Sequence, residues 1–402
     1  MTRGRAALAG GALIVLIAGC VLAAHALLYT TVPHGLHLSG LSARKYFTSV
    51  ELHDGAAGAR FIDLMSLLSQ LALIAGLAVF ARFGARLQRE SAAGRIGTGI
   101  MLALLGFAIA GFAQLPFEIA QLAWLRAHHI LHESYLTLIF GHWFSLGGRA
   151  IFVSAAVAIV MGLARPLRRA WWLAAAPLFA ALMLLFTFVG PYLVPGTHAL
   201  RDQVLAAQTR ALERRDGLPT DIRVRVLSVH GETTEPNSAA AGIGPSRTVL
   251  VWDTLLDGRF SPAEVRTVMA HELGHQKRGH IPKEVGWFAL FSLVIAGGVA
   301  LATRRRGGMF EPRAVPVALL VYVTLQFIAT PLHNAITRRY EREADWIALR
   351  SARAPATQRA MLIKLAVLTQ SDPDPPTWEY VLFDDHPTFA QRIALTNAWH
   401  GE

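Results

Sequence analysis

SPAEVRTVMAHELGHQKRGH, residues 261–280, begins like a helix and leads directly into an apolar run, residues 285–303. Ser261 stands where an N-cap belongs, Pro262 takes the first helical position, and Glu264 follows three residues after the cap, which is the pattern of a capping box. On the helix so started, His271 and His275 lie one turn apart and face the same way, so two imidazole nitrogens can reach one metal ion, with Glu272 beside them. Sixteen histidines and 15 glutamates, placed at random, would produce this pattern about 0.02 times in a chain of this length. Composition alone therefore does not explain it. A metal-type helix joined within a few residues to a bilayer-length apolar run decides what kind of fold this is.

Outward from that stretch the chain stays apolar. Of its 402 residues 53% are apolar and 16% charged, against about a quarter charged in an ordinary soluble domain. The apolar residues are bunched into about seven runs, at 6–28, 61–81, 97–116, 149–164, 170–193, 285–303 and 314–332, and about 20 helical residues cross a hydrocarbon core. The formal charge of +11 raises nucleic acid as a partner. The excess, however, sits beside the apolar runs, at Arg82, Arg86, Arg89, Arg95, Arg165, Arg168, Arg169 and Arg304–Arg306, where topology and anionic lipid account for it. No nucleic-acid module is visible, and no nucleic-acid partner is expected.

With seven spans, Arg3, Arg5 and the loops at 82–95, 165–169 and 304–306 fall on one side, which positive-inside reasoning makes cytoplasmic. The metal domain then faces out of the cell. The one cysteine, Cys20, excludes an internal disulfide and any cysteine-cluster metal site. Ile17-Ala18-Gly19-Cys20 looks like a bacterial lipoprotein processing site, but the apolar run continues through Leu28 and an uncleaved first span is expected.

Only 194–284 and 333–402 have soluble composition. The expected organisation is a membrane domain of five spans (1–193), the first part of the metal domain with the HELGH helix (194–284), spans six and seven (285–332), and the second part of the metal domain (333–402). His198–Arg215 reads as an amphipathic helix, and Ile222–Val226 and Thr248–Trp252 read as strands. Asn237–Gly242 is small and polar enough for a loop or an exposed edge strand.

HExxH on a helix is the pattern of zinc hydrolases, with the glutamate as general base for the attacking water. A catalytic zinc takes three protein ligands, and the downstream candidates for the third are His280, Glu284, His333, Glu341, Glu343 and His386. His280 is five residues beyond His275, off the ligand face, and reads as a polar residue at a helix end. Glu341 and Asp345, on the run Arg338–Asp345, share one helix face. One carboxylate can bind metal while the other accepts the free ring N–H of a histidine ligand. The same run also fits a solvated charged helix with i,i+4 pairs, and the residues alone leave both readings open.

At this point the chain resembles the integral-membrane zinc endopeptidases of the type I CAAX prenyl protease family, with the bacterial heat-shock membrane proteases as relatives. The resemblance rests on His271–His275 with Lys277 and Gly279-His280, on Glu341 to Ala344-Asp345 preceded by Arg338, and on Asp385-His386-Pro387 followed by Arg392-Ile393. Thr248–Leu256, Leu115-Pro116-Phe117 and Pro191-Tyr192-Leu193 also match. It implies one zinc ion held by His271, His275 and Glu341, Glu272 as base, Asp345 supporting the ligands, and His386 with Asn237 stabilising the oxyanion. It also implies a mostly α, polytopic membrane protein of about seven transmembrane helices enclosing a chamber, capped by a small α+β zinc domain of the gluzincin type. A polypeptide would bind in extended form along Asn237–Gly242.

The chain departs from the family at Arg126–Glu133, where another polar stretch is expected, and nothing in it demands a prenylated substrate. The eukaryotic members have the opposite orientation. The outward reading therefore goes with a bacterial-type protein of the inner cell membrane, and a span count off by one would reverse it. The competing reading is a non-catalytic metal carrier or assembly factor with a structural zinc site. A carrier would line a path with paired carboxylates or histidines, whereas the runs contain few such polar residues: His25, Asp63 near an edge, Gln70, Gln114 and Gln326.

Overall fold

The computed structural model describes residues 3–401 except 34, 37, 39, 88–92, 133–134 and 220, with the backbone alone described for 3–10, 12–13, 85, 87 and 135–144. Arg89 and Glu133 lie outside the described residues, as do the side chains of Arg3 and Arg5. The chain opens with five helices, α1 (Arg3–Leu27), α2 (Ser49–Phe83), α3 (Gly94–Ala127), α4 (Tyr135–Leu167) and α5 (Trp171–Leu193). There follow β1 (Thr197–Ala199), α6 (Gln203–Asp216), β2 (Arg223–Leu227), β3 (Ser238–Ala241), β4 (Thr248–Trp252) and α7 (Pro262–Arg278). The chain closes with α8 (His280–Thr303), α9 (Val315–Ala352), α10 (Pro355–Leu368), α11 (Thr377–Leu382) and α12 (Phe389–Ala398).

Among the described residues five stretches are long and apolar enough to cross a membrane, Ser49–Phe83, Gly94–Ala127, Ser145–Leu193, His280–Arg306 and Pro312–Ala352, and Ile14–Leu27 is a shorter apolar one. The third holds two helices. Its backbone breaks at Arg168, whose φ is 49°, and Phe152 of α4 meets Phe186 of α5 at 5.4 Å between ring centroids, so α4 and α5 run antiparallel. Each expected apolar run thus lies in a helix of its own. Large apolar side chains such as Phe112, Ile151 and Val294 point outward, as lipid-facing helices require. The chain is a multi-pass membrane protein.

Several boundaries differ from expectation for physical reasons. α2 starts at Ser49 because Thr48 caps it in a capping box with Glu51, and α3 continues through Pro116 to Ala127, which neighbouring helices tolerate in a membrane setting. α9 carries the seventh apolar run and the Glu341/Asp345 face as one helix, where two elements were expected. The amphipathic helix begins at Gln203, not His198: Asp202 caps it through the N–H groups of Val204 and Leu205, and His198 pairs with Val226 in the sheet.

The sheet has four strands in the order β1-β2-β4-β3. β2 and β4 are parallel, and β3 is antiparallel to β4 with Ser238 opposite Val251. Asn237–Gly242 therefore supplies an edge strand. Val249 and Val251 of β4 pack with Met269 and Leu273 of α7, Leu362 of α10 and Ile393 of α12 in the core of the domain. The Gln276 amide donates to the carbonyl of Ala241 at 2.9 Å, fastening the edge strand to the metal helix.

Candidate metal centre

The start of α7 is held as its sequence requires. Ser261 N–H donates to Glu264 Oε2 at 2.7 Å and Glu264 N–H donates back to Ser261 Oγ at 3.3 Å, while Lys364 Nζ adds 2.7 Å to the same carboxylate. Its end is set by Gly279, with φ 61°, a left-handed cap for which glycine is the usual residue. Between them Gly274 lets α9 come close, because a Cβ there would lie 3.2 Å from the Ala344 Cα.

That approach brings the ligand candidates together. His271 Nε2 and His275 Nε2 are 3.1 Å apart, His271 Nε2 is 3.2 Å from Glu341 Oε2, and His275 Nε2 is 3.5 Å from Glu341 Oε1. A tetrahedral ion with bonds of about 2.0–2.1 Å sets its ligand atoms about 3.3–3.4 Å apart. The three residues fit one ion. Glu341 Oε2 is buried without a hydrogen bond of acceptable geometry, although two imidazole nitrogens lie 3.2 Å away. The distances alone would allow hydrogen bonds; it is the unsatisfied geometry at this buried oxygen that suits an ion shared with the histidines.

The tautomer of His271 is set from outside. Its Nδ1 lies 2.9 Å from Asp345 Oδ1, so Nδ1 carries the proton and Nε2 the lone pair. Asp345 is in turn gripped by Arg392, through Nε at 2.7 Å and a guanidinium N–H at 2.8 Å, all of it buried. Burial works against a charge on His271, but the hydrogen bonds and charges of Asp345 and Glu341 outweigh it and raise its pKa to about 9. A metal entering this site displaces a proton.

His275 meets a different partner. Its Nδ1 is 3.1 Å from His280 Nδ1, and His280 Nε2 is 2.9 Å from Glu343 Oε2. Because Gly279 takes a left-handed conformation, a new helix starts at residue 280 and its ring returns over His275. His280 is thus not a plain helix-end residue.

Glu272 is buried, and its Oε1 accepts a 2.6 Å hydrogen bond from Ser238 Oγ on the edge strand. His386 reaches in from the loop before α12, with Nε2 3.2 Å from Glu341 Oε2 and Nδ1 2.6 Å from Asp385 Oδ1. Burial opposes its charge, yet Glu341 and Asp385 raise its pKa and favour the imidazolium. Asn237 stands one residue from Ser238 with its side chain exposed; its Oδ1 accepts the Ser238 N–H at 2.8 Å, and the described hydrogen bonds do not carry it to the ligands. Arg392 and Ser238 contribute although the sequence assigns them no role, and His280 and Glu343, candidates there only as a third ligand, contribute instead behind His275. Arg392 stood in the closing motif and Glu343 beside Glu341, but neither spacing announces a contact across the fold.

The model of peptidase family M48 matches residues 199–400. An uncharacterised metalloprotease of Bacillus subtilis, YhfN, is 27% identical over 237 residues, 56% of this chain and 55% of that protein. CAAX prenyl protease 1 of Saccharomyces cerevisiae is 24% identical over 245 residues, 54% and 53% of the two chains. A protease HtpX homologue of Acidiphilium cryptum is 31% identical over 149 residues, 35% and 48% of the two chains. The chain spans about half the length of these curated relatives. Among solved structures, S. mikatae Ste24p aligns with a TM-score of 0.71 over 94% of this chain and 96% of that one, at 17% identity, a likeness of fold.

Proposed function

The chain belongs to peptidase family M48, and on that premise we propose that it is a membrane-embedded zinc endopeptidase acting on membrane-associated, misfolded or lipid-modified polypeptides. The observation that carries this reading is the convergence within 4.8 Å of ligand atoms of His271 and His275, on the helix that also carries Glu272, and of Glu341 on α9. Two imidazoles and a carboxylate with room for a fourth ligand suit a catalytic zinc.

When bound, zinc supplies a Lewis acid for the scissile carbonyl and lowers the pKa of water. Glu272 takes the proton of the attacking water and hands it to the departing amine. Ser238 holds one carboxylate oxygen of Glu272 and leaves the other for that proton. His386, as the imidazolium, donates to the oxygen on which negative charge develops, and Asn237 is the second donor. Asp345 and Arg392 keep His271 in its ligand tautomer.

The substrate lies in extended form on the open side of β3, adding a strand by main-chain pairing. Such pairing is tolerant of sequence. The protein crosses the inner cell membrane seven times with the zinc domain outside. In support, Arg95 at the start of α3 pairs at 3.0 Å with Glu311 between α8 and α9, so the α2–α3 and α8–α9 connections share one end of such a bundle.

The test is cleavage of an unfolded reporter peptide by detergent-purified protein, wild type beside Glu272→Gln, with zinc content measured on both. Activity in the wild type alone at equal zinc is expected. Cleavage that survives the substitution, or zinc bound by an inactive wild type, would overturn the peptidase reading.

A further inference from the structure

A histidine that binds metal through Nε2 needs its Nδ1–H held, because that hydrogen bond decides which nitrogen keeps the lone pair. Asp345 holds His271 in this way. His275 has no carboxylate of its own: its Nδ1 faces His280 Nδ1 at 3.1 Å. Two ring nitrogens at that distance share one proton, so one donates and the other accepts.

Glu343 settles which is which. Its Oε2 lies 2.9 Å from His280 Nε2, and an ionised carboxylate only accepts. A neutral His280 therefore carries its proton on Nε2 and offers the Nδ1 lone pair. His275 must then be the donor, with its proton on Nδ1, which frees its Nε2 for the metal.

Glu343 is itself fixed by donors from three other directions. Its side chain is fully buried, and its Oε1 accepts the Thr31 N–H and the Thr31 hydroxyl, each at 2.6 Å, and Arg278 Nε–H at 2.7 Å. Thr31 lies just beyond the end of α1. The His280 ring stacks on Tyr340, 4.6 Å between centroids and 14° between planes. The Tyr340 hydroxyl donates to Leu27 O at 2.7 Å and accepts from Trp287 Nε1 at 2.9 Å. Ring and carboxylate are thus each held by contacts on more than one side.

We propose that His280 and Glu343 are positioning residues for the metal centre, holding His275 in the tautomer that presents Nε2, and that Thr31 makes this hold depend on the chain segment leaving α1. The inference rests on His275 being a zinc ligand.

The experiment measures the zinc Kd of the full-length, detergent-purified protein by competition with a chromophoric chelator, with thermal unfolding of the metal-free form alongside. His280→Phe keeps the ring and its stack on Tyr340 but cannot accept from His275; His280→Asn keeps an acceptor where Nδ1 was. The phenylalanine variant is expected to bind zinc about 10–100-fold more weakly than wild type, with the asparagine variant recovering most of the loss. Glu343→Gln and Thr31→Val are expected to weaken zinc in the same direction, the second by less, with the metal-free unfolding temperature of Thr31→Val unchanged. Kd values within twofold of wild type for the variants that fold overturn the proposal. A wild type that binds no zinc, or a His275→Ala variant that binds it as well as wild type, overturns instead the reading on which it rests.

Discussion

Gly274 of α7 meets Ala344 of α9 so closely that a Cβ on residue 274 would stand 3.2 Å from both the Cα and the carbonyl oxygen of Ala344. The contact lies between the histidine pair on one helix and Glu341 and Asp345 on the other. Gly274→Val has to push the helices apart, and overpacking of this kind costs about 1–3 kcal/mol. Separation also draws Glu341 away from His271 and His275. The variant is therefore expected to melt lower and to retain less zinc after dialysis than wild type. An unchanged zinc content would mean that the close crossing is not what sets the ligand spacing.

The buried pair of Asp345 and Arg392 gives a sharper stability prediction. Removing one partner of a buried ion pair leaves an uncompensated charge and costs about 3–5 kcal/mol, whereas replacing both by apolar residues is far milder. Arg392→Leu is expected to fall in that range in denaturant unfolding, and Asp345→Leu with Arg392→Leu is expected to be more stable than Arg392→Leu alone. Metal retention should fall in both, because His271 loses Asp345 in the double variant and in the single one keeps an Asp345 that Arg392 no longer fixes. A double variant no more stable than the single one would assign the loss to packing.

Much of this architecture was legible because local rules and the tertiary structure agree. The capping box at Ser261–Glu264, the shared face of His271 and His275, and the strand at Thr248–Trp252 each depend on residues a few positions apart. Other features were not legible. The change from apolar to charged residues near 333 reads as a boundary, but α9 runs through it, because backbone hydrogen bonds continue wherever the side chains find suitable surroundings. Counting angle along an unbroken helix puts His280 off the ligand face. Gly279 breaks that count and restarts it. Ser238 reaches Glu272 and Thr31 reaches Glu343 from elements remote in sequence, contacts that no local spacing encodes.

Glu264 links the capping box of α7 to pH. Burial raises its pKa, but hydrogen bonds from Lys364 and Ser261 outweigh this and hold it below its ordinary value of 4.5. A carboxylate depressed in the folded state contributes stability that is present above its unfolded pKa and is lost as pH falls through the folded one. Wild type is therefore expected to lose stability below pH 4.5 more steeply than Glu264→Gln, whose side chain does not titrate. Unfolding curves across that window check it, and parallel slopes for the two proteins would remove Glu264 as a contributor.

The edge strand offers a test that separates binding from folding. Trp252 N–H donates to Asn237 O at 3.0 Å, so in the alternating antiparallel ladder Ala239 and Ala241 turn their main-chain groups toward β4, while Ala240 turns its own to the open side. Proline at position 240 removes an outward N–H, which edge strands tolerate; at position 239 it removes a ladder hydrogen bond. Ala240→Pro is expected to keep near wild-type stability while KM for an extended peptide rises several-fold, and Ala239→Pro to lower the unfolding temperature directly. Since a missing main-chain pairing weakens ground state and transition state alike, kcat for Ala240→Pro should change less than KM. Equal KM values for wild type and Ala240→Pro would mean that substrate does not pair with β3, and would direct attention to the surfaces around His386.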